Sequence, residues 1–215
     1  MGHAGSLTPC VRAAASVAMT VPLWGVIALA YHVAARLAYV LYIGLALRRE
    51  ERTGYLVERH GPEGAFRRFR RMAAILMYND ATSFVVLCLA SWGTLRDGLP
   101  RVPILIVGAL LVIVGTVIKL WAAATLGAGP YYWRDFFVVD DWKGPSRAGP
   151  YRYLRNPMYT VGYLQTYGFA LVTRSWPGLA VALIDHIAIL LFYRLVEKPH
   201  FERTARGVVR PERLP

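Results

Sequence analysis

Five long apolar runs separated by basic loops constrain this chain more than any other feature of its sequence. They cover about 19–47, 72–92, 102–126, 158–173 and 177–196. Each approaches the roughly 20 residues that a helix needs to cross a bilayer, the fourth at the lower limit. Only Arg174-Ser175-Trp176 separates the fourth from the fifth, which predicts a tight helical hairpin. The expected fold is therefore an all-α integral membrane protein with about five transmembrane helices. At 215 residues it reads as a single membrane domain over 1–215. The first run is too long for a secretory leader, and its charge cluster follows it rather than preceding it, so a retained helix is the better reading.

Charge sets both the partners and the orientation. A net charge of +12 suits either nucleic acid or anionic lipid. The basic residues lie between apolar blocks rather than on one soluble face, which favours lipid and excludes nucleic acid. Segments 48–71, 127–156 and 197–215 hold eight, five and five Lys or Arg, against one, two and one in 1–18, 93–101 and 174–176. The positive-inside rule then places the N-terminus outside and the C-terminus in the cytoplasm. Segment 48–71 reads either as a solvated anchor or as an amphipathic helix lying on anionic headgroups. Cys10 and Cys88 are far apart and support neither a disulfide framework nor a thiolate metal site. No metal is expected, and the oligomeric state is open.

Ionisable groups inside apolar runs are expensive and need a reason. They are His32 and Arg36 in the first run, Asp80 beside Asn79 in the second, and Asp185 and His186 in the fifth. At 1.5 Å per residue, Arg36 lies roughly 16 Å, Asp80 roughly 12 Å and Asp185 roughly 18 Å from the cytoplasmic helix ends. The depths are similar, which predicts a polar layer in which Arg36 is neutralised by Asp80, Asp185 or both. Such a layer either fixes helix packing or binds a lipid headgroup, making Arg36 and Asp80 candidate substrate contacts. Lys119 sits near the inner end of its run and can snorkel.

The stretch Gly149-Pro150-Tyr151-Arg152-Tyr153-Leu154-Arg155-Asn156-Pro157-Met158-Tyr159 carries the most chemistry. Its two prolines exclude a continuous helix, and Pro157 suits the first position of a following one. A rigid aromatic and cationic loop at a membrane surface can hold a polar cofactor against a lipid. In the fifth run His186, Tyr193 and Glu197 share one face, as do Tyr159, Tyr163 and Thr166 in the fourth. Those faces are either packing or a path to a site ending at Glu197-Lys198-Pro199-His200. Gly127-Ala128-Gly129 is either a helix C-cap or a close approach to a cofactor; it lacks the strand and third glycine of a dinucleotide fingerprint. Tyr131-Tyr132-Trp133-Arg134-Asp135-Phe136-Phe137 is either an interfacial belt or a cover over a ligand.

Together these motifs resemble the integral-membrane methyltransferases, which include isoprenylcysteine carboxyl methyltransferases and phospholipid N-methyltransferases. The resemblance covers roughly 100–207, expected to be the catalytic core. Tyr132-Trp133-Arg134-Asp135-Phe136-Phe137, the run from Pro157 to Tyr163, and Glu197-Lys198-Pro199-His200 are particularly similar to the fungal phosphatidylethanolamine N-methyltransferases. The resemblance implies an S-adenosylmethionine (SAM) cofactor on the cytoplasmic side, held by Tyr151, by Asn156, Pro157, Met158 and Tyr159, and by Glu197. Arg155, Gly127 and Gly129 are counted with them. Glu197 and His200 are the candidate catalytic pair, and Arg36, Asp80, Tyr163, His186 and Tyr193 the candidate substrate contacts. Two residues depart from the family pattern: Asn156 stands for the usual His, and Lys198 for a second Glu. The implied activity is N-methylation of phosphatidylethanolamine or a partly methylated form. The alternatives are carboxyl methylation of an isoprenylcysteine, an NADPH-dependent membrane reductase, and a non-catalytic lipid-binding protein.

Overall fold

The computed structural model describes residues 23–95, 100–138, 144 and 146–206. Expectations for the N-terminus, Cys10, Arg96, Lys143 and the basic tail beyond Arg206 lie outside the described residues. Among the described residues the chain is helical and has no strand. Helix α1 (Leu23–Thr53) buries Gly25, Ala28, His32, Ala35, Tyr39, Ile43, Leu47 and Glu50, a stripe with the three–four spacing of one helix face. Its other faces expose Leu23, Trp24, Val26, Leu37, Leu41 and Leu45. Large apolar residues left outside while Gly25, Ala28, Ala35, His32 and Glu50 are buried is the pattern of a helix surrounded by lipid.

Only Gly54 separates α1 from α2 (Tyr55–Ala90), and its φ of 63° makes the reversal. The buried Glu50 carboxylate accepts from the amides of Leu56 and Val57 at 2.7 and 3.1 Å, capping the start of α2. At Gly61, just before Pro62, α2 kinks. The segment after the kink is amphipathic, yet its apolar face meets protein. Phe66 and Phe69 pack on Phe137, while Arg67, Arg68, Arg70 and Arg71 face outward.

Helix α3 (Arg101–Leu126) buries only Gly108, Gly115 and Ala122, one seam at a seven-residue interval. The chain then makes a short turn of helix, α4 (Ala128–Tyr131), and a 3-10 turn at Arg134–Phe136. The motif loop follows, with a 3-10 turn at Gly149–Arg152. A Cβ on Gly149 would fall 2.4 Å from Thr125 Oγ1, so glycine lets this loop close onto the end of α3.

The fourth apolar run folds differently from a simple crossing. Pro157 does not start a helix: its carbonyl accepts from Gly162, five residues on, at 2.8 Å, so the chain winds through turns to Tyr163. Helix α5 (Leu164–Val172) begins only there and has nine residues, about 14 Å of rise. It lies on α3 at backbone distance; a Cβ on Gly115 would be 2.3 Å from Gln165 N, and one on Gly168 2.6 Å from Gly108 O. Thr173-Arg174-Ser175 then turn the chain into α6 (Trp176–Phe192), whose start is capped by Ser175 Oγ accepting from Gly178 N at 2.9 Å.

Helix α6 runs through a π-helical turn at Tyr193–Glu197 into α7 (Lys198–Ala205). Pro199 has no N–H for the carbonyl four residues back. That carbonyl, on Leu195, accepts instead from Arg48 Nη2 at 3.2 Å. Among the described residues four helices are long and apolar enough to cross a membrane: α1, α2, α3 and the continuous Trp176–Ala205. The chain is a multi-pass membrane protein.

Candidate active site

A cavity of about 340 Å³ opens between α1, α2, α3, α5 and the aromatic stretch. Its wall divides into three parts. Arg36, Asp80 and Lys119 supply charge; Phe84, Val85, Val112 and Phe169 supply an apolar surface; Tyr39, Tyr131, Trp133, Tyr159 and Tyr163 supply aromatic faces.

The charged part realises the pairing expected from depth. Arg36 Nη2 lies 3.0 Å from Asp80 Oδ2 and 2.7 Å from Asp185 Oδ2. His32 Nε2 lies 3.0 Å from the same Asp185 oxygen, and its Nδ1 lies 2.8 Å from Ser83 Oγ. Ser83 donates its hydroxyl hydrogen to the Asp80 carbonyl at 2.7 Å. The hydrogen on His32 Nε2 bridges the ring to Asp185. Asp80 and Asp185 thus face Arg36 and His32 in one hydrogen-bonded cluster, the arrangement that a membrane interior tolerates.

The aromatic part converges on Tyr159. Its hydroxyl donates to Glu197 Oε1 at 2.6 Å, and Trp133 Nε1 donates to the same oxygen at 2.7 Å. Glu197 Oε2 accepts no hydrogen bond from the described residues. His186 Nε2 donates to the Tyr159 carbonyl at 2.8 Å, so its Nδ1 accepts from Tyr167 at 3.1 Å. The His186 ring stacks on Tyr163 with centroids 4.6 Å apart, and Tyr193 meets the Tyr159 ring edge-on at 6.3 Å. His186, Tyr193 and Glu197, which sequence spacing aligned on one helix face, thus all touch one tyrosine.

Trp133 holds a left-handed backbone, φ 57° and ψ 39°, that non-glycine residues rarely adopt. Its indole contacts hold it there: the bond to Glu197, with Phe69 and Phe192 edge-on at 6.2 and 5.7 Å. Phe136 and Phe137 are also buried, so this stretch packs inward rather than forming an interfacial belt. Tyr151 Oη is buried without a partner, and burial together with the Glu197 carboxylate pushes this phenol above its usual range.

The other sequence candidates fall at varying distance from the cavity. Met158, Tyr159, Tyr163 and Thr166 line it, and Lys119, which had been given no role, lines it too. His200 does not: its Nδ1 is 3.0 Å from Glu51, which also pairs with Arg203, and its ring stacks on Phe136 at 3.6 Å. Arg155, Asn156 and Pro157 belong to the loop carrying Tyr159 but are not on the cavity wall. Gly127 ends α3 with a φ of 74°, its amide bonded to Ala123 O, in keeping with the C-cap reading. Gly129 packs against the Arg134 side chain. Sequence reasoning did not find Tyr39, Ser83 or the Trp133–Glu197 bond. The last joins residues 64 positions apart across a π-helical turn that no spacing rule reveals.

Similarity to known proteins falls on the part of the site that holds Trp133, Tyr159 and Glu197. Residues 103–204 match the family model described as phospholipid methyltransferase, the family that the motifs resemble. Among curated proteins the chain is 31% identical over 146 residues to a phosphatidylethanolamine N-methyltransferase of Botryotinia fuckeliana. It is 33% identical over 138 residues to that of Arthroderma otae and 32% over 139 residues to that of Pyricularia oryzae. Each match covers 63% of this chain but 14% of the relative, so the chain spans a small part of their length. No solved structure matches.

Proposed function

We propose that this protein is a SAM-dependent methyltransferase that N-methylates a membrane phospholipid amine, phosphatidylethanolamine or a partly methylated form. The observation carrying this reading is the Glu197 node: one buried carboxylate bonded by Tyr159 and Trp133, where the motif loop, the aromatic stretch and the last helix converge. The residues fit SAM. Glu197 Oε2 and the orphaned Tyr151 hydroxyl are open to the polar end of a cofactor, and Tyr159 and Tyr193 offer faces that attract a cation.

SAM supplies an electrophilic methyl group on a sulfonium. The chain's part is alignment in a site shielded from water, since methyl displacement needs little covalent help. His186 fixes the Tyr159 backbone, and Tyr159 and Trp133 fix Glu197. An amine acceptor must lose a proton before it attacks. A water between the amine and the Glu197 carboxylate takes that proton in this reading. His200, stacked on Phe136 and held by Glu51, supports the node from behind.

In this reading the motif loop and the C-terminus face the cytoplasm, the N-terminus lies outside, and the α5–α6 hairpin returns the chain to the cytoplasmic level. Residues 100–207 form the catalytic core, and the outward arginines of α2 meet anionic headgroups. The test is equilibrium SAM binding by the purified protein. Glu197→Gln should weaken SAM by about tenfold or more, the scale of one lost charged hydrogen bond. Unchanged affinity in this variant would remove Glu197 from the cofactor site.

A further inference from the structure

The cavity wall carries two buried polar atoms without a partner, Arg36 Nε and Asp80 Oδ1. Their side chains are otherwise committed to each other and to Asp185, and groups left unsatisfied inside a membrane protein mark places where a ligand completes the bonding. Lys119 stands on α3 in the same cavity and forms no ion pair among the described residues. The wall thus offers one open carboxylate oxygen beside two cationic donors, with the apolar surface of Phe84 and Phe169 adjoining.

We propose that this wall is the headgroup site for a zwitterionic aminophospholipid. Asp80 Oδ1 accepts an N–H of the lipid ammonium, and Lys119 Nζ, with Arg36 Nε, donates to the phosphate. The proposal rests on the methyltransferase reading for the fate of the lipid, while the binding itself follows from the unpaired atoms. An ethanolamine headgroup carries its two charges a short chain apart, in the sense that the wall complements. His32 and Asp185 hold Arg36 from the far side, so the guanidinium stays in place when the ligand leaves.

A consequence distinguishes this site from simple charge attraction. Each added methyl group replaces one N–H, and a quaternary ammonium has none left for Asp80 Oδ1. The site therefore selects lipids that keep an N–H, and it releases a fully methylated product.

The test is lipid binding without SAM, by native mass spectrometry of the full chain in micelles with short-chain phosphatidylethanolamine, phosphatidylcholine or phosphatidylglycerol. The wild type should favour the ethanolamine lipid over the choline lipid by about tenfold, the scale of one charged hydrogen bond. Asp80→Asn should abolish that preference with little effect on phosphatidylglycerol, and Lys119→Met should weaken all three. Equal binding of all three lipids by the wild type, or a preference untouched by Asp80→Asn, overturns the proposal. If Asp80→Asn does not fold, the wild-type comparison and Lys119→Met decide: unchanged affinities in Lys119→Met overturn the phosphate contact. Ethanolamine selectivity without methyl transfer would leave the site and remove the enzymatic reading. Methyl transfer without selectivity would do the reverse.

Discussion

Replacing Arg36 by Met isolates the energetic role of the polar layer. The guanidinium joins Asp80 and Asp185 through Nη2. Without it Asp185 keeps His32, but Asp80 Oδ2 loses its partner and Oδ1 already has none. Removing one member of a buried pair costs about 3–5 kcal/mol, chiefly for the charge left behind. The Arg36 and Asp80 side chains are 15% and 10% exposed, so some water reaches the pair and the lower end, about 3 kcal/mol, applies. Adding Asp80→Asn removes the stranded charge and should return stability to within about 1 kcal/mol of wild type, a coupling of at least about 2 kcal/mol in a double-mutant cycle. Reversible unfolding in mixed micelles, followed by circular dichroism, measures all four proteins. An Arg36→Met variant as stable as wild type, or a double variant no better than the single ones combined, would refute the pairing.

Two further predictions concern packing and pH. Gly115→Ala places a methyl group 2.3 Å from the Gln165 amide nitrogen, so α3 and α5 must separate, at a cost of about 1–3 kcal/mol. Gly44→Ala, where no atom lies within 4 Å of the new Cβ, should leave thermal stability unchanged or raise it by up to about 1 kcal/mol. The Asp135 carboxyl is held above its usual range chiefly by burial, against the opposing pull of His200 and Arg134. Its charged form is therefore disfavoured in the folded state, and stability falls as pH rises from the unfolded pKa through the folded one. Asp135→Asn should flatten that decline; an unchanged pH profile of the thermal midpoint would contradict it.

The sequence made the polar layer legible because depth in a membrane helix is a count of residues. Similar depth for Arg36, Asp80 and Asp185 sufficed to pair them, and both contacts form. Local departures from helix geometry were hidden. The run after Pro157 is apolar enough to suggest a crossing, yet turns occupy it as far as Tyr163, because hydropathy does not register a carbonyl taken by the fifth residue on instead of the fourth. The π-helical turn before Pro199 rotates Glu197 towards Trp133, and the left-handed Trp133 backbone meets it; neither has a sequence signature. The direction of His200 was hidden too, since Phe136 and Glu51, residues distant in the chain, fix it.

The most direct measurement supplies the purified protein with methyl-labelled SAM and vesicles containing phosphatidylethanolamine, with a prenylcysteine analogue in a parallel reaction. Methylation of the lipid amine predicts label in the phospholipid fraction, lost in Glu197→Gln, and none in the prenylcysteine. Label in the prenylcysteine alone, or in neither fraction, would contradict the account.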